Sequence, residues 1–166
     1  MNDESLQLAR QLGDALQRRG LRLAVAESCT GGLVCKLITD VPGSSAWFER
    51  GFITYADAAK TGMLGVSARA LARFGAVSET VVREMLAGAL QNSGADWAAA
   101  VSGVAGPGGG SADKPVGLVW LGWQARDGAA SIQRHQFSGD RAAVRFAAAQ
   151  ALLQGLCEGL APVSPE

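Results

Sequence analysis

Near the start of the chain Leu8, Leu12 and Leu16 recur at helical spacing, with Asn2 or Asp3 able to cap the run and Gly20 where a C-terminal cap belongs. The pattern predicts an amphipathic first helix. Residues 21–26 form a short apolar run suited to a buried strand, and Leu33, Val34, Leu37 and Ile38, after the Gly31-Gly32 pair, read as the next helix. A strand, a tight loop and a helix therefore surround Ser28. Pro42-Gly43-Ser44-Ser45 is turn chemistry, and residues 47–55 have the aromatic and β-branched content of a strand ending near Tyr55. Residues 56–64 look helical. Ser78 caps a longer helix whose stripe is Val82, Leu86 and Leu90, stopped by Gly94.

Residues 96–101 read as another buried strand, followed by a glycine-rich loop over 102–111 and, after Pro115, a strand over 116–125. Asp127-Gly128 signals a turn, and residues 131–137 alternate well enough to pair antiparallel with the preceding strand. Asp140 opens a last helix with Val144, Ala148, Leu152 and Leu156 on one face. The expected organisation is one α/β domain over 1–160, a three-layer α/β/α arrangement with a mixed sheet, and a disordered tail over 161–166. There is no internal repeat or interdomain linker.

Composition narrows the function. The chain has 166 residues, 48% of them apolar and 18% charged, which is the balance of one folded domain. Fifteen basic residues balance fifteen acidic ones, so no broad positive field invites nucleic acid. Neither a secretion signal nor a bilayer-spanning apolar stretch is visible, which argues against a membrane partner and for a cytoplasmic location. Cys29, Cys35 and Cys157 show no CxxC pairing and His135 is the single histidine, so neither a disulfide framework nor a zinc site is supported.

Two loops carry candidate chemistry, each after a predicted strand, where open α/β sheets place ligands. In Ala26-Glu27-Ser28-Cys29-Thr30-Gly31-Gly32 the paired glycines allow a sharp turn that holds a hydroxyl beside the amides of a helix start, a nucleophile next to an oxyanion hole. From spacing alone a plain helix N-cap is the stronger reading of the same residues. The run is not a GxSxG elbow, and one histidine argues against a Ser-His-Asp triad. The second loop, Ser102-Gly103-Val104-Ala105-Gly106-Pro107-Gly108-Gly109, gives backbone amides close access to an anion, with Lys114 and Arg141 as nearby cations. It matches neither the dinucleotide fingerprint nor the P-loop, and a surface loop is the plain alternative. Tyr55 and Lys60 lie between the loops. A lysine acts as a base only when neutral, and Asp57 beside it is the competing partner for a structural ion pair.

Taken together with Gly43-Ser44-Ser45 and Phe48, Leu64-Gly65-Val66, Gly75-Ala76-Val77-Ser78, Lys114-Pro115-Val116-Gly117 and Gly139-Asp140-Arg141, these motifs occur in the order of the CinA C-terminal domain family. The resemblance runs from about Leu8 to Leu160. It departs at Ser102, often threonine in the family, and at Asp57, where asparagine is common. Stand-alone members are nicotinamide-nucleotide amidohydrolases, which implies release of ammonia from nicotinamide mononucleotide by a Ser/Lys mechanism within pyridine-nucleotide recycling. The resemblance places the nucleophile at Ser28 and the base at Lys60.

The resulting expectation is an acyl-enzyme route in which Lys60 takes the Ser28 proton, Tyr55 positions or shares it, and the amides of Gly31 and Gly32 hold the oxyanion. Glu27 would contact the cationic pyridinium, and Thr30, Ser45, Ser102, Gly103, Gly106 and Arg141 complete the expected substrate-binding set. No metal or cofactor is called for. The alternative is a catalytically silent nucleotide-binding module linked to competence or DNA damage. The sequence leaves oligomeric state open, a homo-oligomer included.

Overall fold

The protein is described by a computed structural model over residues 3–161. The proposed cap at Asn2 and the tail over 162–166 lie outside the described residues. In chain order the elements are α1 (Asp3–Arg18), β1 (Leu23–Glu27), α2 (Leu33–Thr39), a short 3-10 turn (Ser44–Ala46), β2 (Phe48–Ile53), α3 (Asp57–Leu64), α4 (Ala68–Phe74), α5 (Glu79–Gln91), β3 (Trp97–Gly103), β4 (Leu118–Ala125), β5 (Ser131–Gln136) and α6 (Arg141–Gly159). Two expected caps are in place: the Ser78 and Asp140 side chains accept the amides of Val81 at 3.3 Å and Ala143 at 2.9 Å. α5 stops earlier than Gly94, with Asn92 as its cap. The helix α4 is an addition to the predicted set, started by the Ser67 hydroxyl, which accepts the Ala70 amide at 3.1 Å.

The sheet is mixed, in the order β2-β1-β3-β4-β5. β1 runs parallel to both β2 and β3, and β4 and β5 are antiparallel additions. Alternation along the strands separates two unequal faces. Leu23, Val25, Val101, Leu121 and Trp123 face a layer made by α1, α2 and α6. Ala24, Ala26, Ala98 and Ala100 face α3, α4 and α5. Small side chains on that second face let α5 lie close: a Cβ on Gly122 would come within 2.8 Å of the Val82 and Leu86 side chains. α3 sits equally close to α5, because a Cβ on Gly88 would overlap the Leu64 carbonyl. Helices thus cover both faces, giving the three-layer α/β/α arrangement expected.

The parallel strands bring three carboxyl ends to one edge, where Glu27 pairs with Ile53 on one side and Val101 on the other. From β1 the chain moves outward to β2, then crosses back to form β3 on the other side of β1. This reversal opens a crevice at the ends of the parallel strands.

Candidate active site

Ser28 follows directly from β1, and its amide donates to Val101 O at 3.1 Å, tying it to β3. The chain then turns through Gly31 and Gly32, both at positive φ (57° and 95°), a backbone state that side chains disfavour. Glu27 determines where α2 begins. By strand alternation it shares a face with Leu23 and Val25, directly under α2. Its carboxylate is fully buried and accepts the amides of Gly32 (2.9 Å), Val34 (3.2 Å) and Cys35 (2.8 Å). A carboxylate at a helix N-terminus satisfies donors that the helix itself leaves unpaired. The expected contact between Glu27 and a substrate ring is therefore corrected: the group is walled off and occupied.

The same bonds correct the expected oxyanion hole. The Gly32 amide is spent on Glu27, and the Gly31 amide donates to Ser28 O at 3.0 Å. Among the described residues, the Cys29 and Thr30 amides remain unspent on the chain's own carbonyls.

Lys60 is 1% exposed, and its ammonium position is surrounded by oxygen. Nζ lies 3.0 Å from Ser28 Oγ, 2.9 Å from Thr54 O and 3.3 Å from Tyr55 O. The two carbonyls can only accept, whereas the hydroxyl can donate. Nζ donates to all three oxygens in this arrangement, and only the hydroxyl is able to donate in return to a deprotonated amine. Burial pushes the Lys60 pKa down, opposed by the carboxylate of Asp57, whose Oδ1 is 4.0 Å away. Asp57 is largely exposed, and its ion pair with the amine is long.

Around this pair lies a cavity of about 290 Å³ lined by Ser28, Lys60, Tyr55, Asp57, Ser102, Gly103, Gly106 and Arg141, with Cys29 and Gly109 among their neighbours. Ser102 Oγ donates to Ala76 O at 2.8 Å, which joins β3 to the segment before α5. At Gly103 a Cβ would strike Leu118 and Val119, so only glycine fits there. Arg141 donates through Nη1 to Gly106 O at 2.9 Å and through Nη2 to the Tyr55 hydroxyl at 2.7 Å. The expected proton-sharing by the Tyr55 phenol is thus corrected: its hydroxyl meets Arg141, and its backbone carbonyl meets Lys60.

Three further placements differ from expectation. Ser45 is exposed in the turn before β2, beside the start of β1 rather than its end, roughly a five-residue strand or 16 Å from Ser28. It does not line the cavity. Thr30 is buried, and its hydroxyl has no hydrogen-bond partner among the described residues. Lys114 Nζ donates to Phe74 O, tying the glycine-rich segment to the end of α4. Sequence reasoning overlooked Arg145, which reaches from α6 to donate to Cys29 O at 3.1 Å and Thr30 O at 2.7 Å. Its spacing from Arg141, one helical turn along α6, was the available signal.

All three cysteines are free. Cys29, beside Ser28, has its thiol pKa pushed up to about 11 by burial. His135 stacks on Phe137, ring centroids 5.4 Å apart, from the far edge strand β5. Among the described residues, no group of three or more His, Cys, Asp or Glu could hold a metal ion, and no helix is long and apolar enough to cross a membrane.

Residues 5–160 match the sequence profile of the CinA C-terminal domain. The chain is 56% identical over 148 residues to the nicotinamide-nucleotide amidohydrolase PncC of Enterobacter agglomerans, covering 89% of this chain and 90% of that protein. To the PncC of Escherichia coli K12 it is 54% identical over 155 residues, covering 93% and 94%. The crystal structure of the competence/damage inducible protein CihA from Agrobacterium tumefaciens superposes with a TM-score of 0.92 at 44% identity, covering 95% of each chain. On the profile match, the identities and the superposition, the chain belongs to the CinA C-terminal domain family.

Proposed function

We propose that the protein is an amidohydrolase that converts nicotinamide mononucleotide to nicotinate mononucleotide and ammonia, with Ser28 as nucleophile and Lys60 as base. The observation that carries the mechanism is the buried Lys60 amine 3.0 Å from Ser28 Oγ, with two peptide carbonyls as its other partners. The substrate rests on the names of relatives that are 54% and 56% identical over most of the chain.

Neutral Lys60 takes the Ser28 proton as Oγ bonds to the carboxamide carbon. The tetrahedral oxyanion falls to the unspent amide of Cys29, the residue after the nucleophile, in place of the occupied Gly31 and Gly32 amides. Lys60 returns the proton to the departing nitrogen, the C–N bond breaks, and ammonia leaves behind an ester on Ser28. Water attacks that ester with Lys60 again taking a proton. The C–Oγ bond breaks, Ser28 regains its hydrogen, and the nicotinate carboxyl is released. Arg141 lies in the cavity with charge suited to the substrate phosphate, and the Gly103 to Gly109 backbone allows close approach beside it. The reaction uses water and the chain's own groups, and belongs to pyridine-nucleotide recycling in the cytoplasm.

The test is ammonia release from nicotinamide mononucleotide by purified protein in the presence of a chelator, with Ser28→Ala alongside. Release by the native chain and none by the variant is expected. Binding without release by the native chain overturns the reading in favour of a silent nucleotide-binding module.

A further inference from the structure

The cavity's lining contains one carboxylate, that of Asp57, because Glu27 is sealed under α2. Asp57 stands in the first turn of α3, where a negative charge also suits the helix dipole, yet most of its side chain is open to solvent. Two steps, 3.0 Å and 4.0 Å, lead from Ser28 Oγ through Lys60 Nζ to Asp57 Oδ1. The lining also contains the cation Arg141, held by Gly106 O and the Tyr55 hydroxyl. The cavity therefore has a negative group beside the Ser28 and Lys60 pair and a positive group elsewhere on its lining.

We infer that Asp57 is the specificity determinant that reads the positive charge of the substrate's pyridinium ring, selecting cationic aromatic amides over neutral ones of the same shape. This rests on the deamidation reading for the identity of the substrate. A nicotinamide ring attacked by Ser28 carries its charged nitrogen two ring bonds from the carbon that bears the carboxamide, so the charge stays close to the Lys60 and Asp57 pair. The ligand's phosphate lies at its other end, toward Arg141. A zwitterionic nucleotide matches this order of charges in one orientation, and a neutral-ring analogue forfeits the Asp57 half of the match. The ion pair that Asp57 makes with Lys60 is long, 4.0 Å, so its carboxylate remains open to an approaching cation. Both the ring and the buried amine then share one carboxylate.

The experiment measures calorimetric affinity on two turnover-blocked proteins, Ser28→Ala and Ser28→Ala/Asp57→Asn. The probes are nicotinamide mononucleotide and its phenyl isostere, in which carbon replaces the ring nitrogen. Asp57→Asn keeps the size and a polar side chain and removes only the charge. Weakening of about fivefold for the pyridinium nucleotide, with the isostere unchanged, is expected for a largely exposed charge pair. Equal weakening of both ligands, no change in either, or no binding of either ligand overturns the inference. Ammonia release by the native chain reads the reaction separately. Release without charge-selective loss of affinity sinks the Asp57 assignment alone, and charge-selective affinity without release sinks the reaction alone.

Discussion

Lys60 Nζ meets Ser28 Oγ at 3.0 Å across 32 residues of sequence, and it does so from a position 1% exposed to solvent. An amine so placed is easier to deprotonate than a free lysine. The ammonia-release rate is expected to rise with pH through a value below the ordinary ~10.4 of lysine. Lys60→Arg keeps a charge but cannot give up its proton, so it loses turnover by about 10³-fold while remaining folded. Near-native turnover in a folded Lys60→Arg protein would remove lysine from the mechanism.

The same lowered pKa links the base to stability. Between the depressed folded value and the ordinary lysine value, the unfolded chain holds a proton that the folded chain lacks. Stability therefore rises with pH across that window, by this group's contribution. Urea unfolding of the native chain and of Lys60→Met at several pH values between neutrality and 10 checks it. The native slope exceeds the variant's, and identical slopes count against a depressed amine.

Cys29 is next to the proposed nucleophile Ser28 and has the more reactive atom, yet its thiol is held at about 11 and stays protonated near neutral pH. Cys29→Ala is expected to keep turnover within about threefold, and Ser28→Ala to lose it. Mass spectrometry of a trapped acyl-enzyme locates the adduct. An adduct on the cysteine reverses the assignment.

Glu27→Gln exchanges one accepting oxygen for a donor facing backbone amides. With three amides relying on that carboxylate, a loss of about 3 kcal/mol in folding stability is expected. The KM for nicotinamide mononucleotide stays within about twofold of native. A normal unfolding midpoint with a much higher KM would restore Glu27 as a substrate contact.

Arg145 holds the carbonyls of Cys29 and Thr30. Fixing these two carbonyls fixes the turn that carries the Cys29 amide, the proposed oxyanion donor. Arg145→Met is expected to lower kcat about tenfold with KM little changed, and Arg145→Lys to recover part of the loss. Equal changes in kcat and KM would indicate simple unfolding of the loop.

Much of this layout was legible from residue pattern. Apolar runs and turn residues predicted the five strands, and the glycines after Ser28 predicted a turn into α2. α4 escaped because it has seven residues, among which Ala70 is fully buried and Leu71 only packs at the margin, too little for a stripe. Ser45 was misplaced because nearness in sequence does not say which end of a strand a turn adjoins. Glu27 was misread for a related reason: its neighbour Ser28 faces the cavity, but alternation turns Glu27 itself toward α2. That much was readable in the spacing from Leu23 and Val25. The occupation of the Gly31 and Gly32 amides was not, since it depends on where the Glu27 carboxylate lies in three dimensions.

The missing side chain of Gly88 sets the seat on which α3 rests. Leu64, whose carbonyl would be struck by any Cβ there, ends the same helix that carries Lys60. A single methyl group on α5 would therefore lift the helix and carry the amine away from the hydroxyl it must reach. Such a replacement would behave as a loss of the base itself, although Gly88 touches neither reacting atom. The spacing of Lys60 from Ser28 is thus partly written as an absence, 28 residues beyond the lysine in the chain.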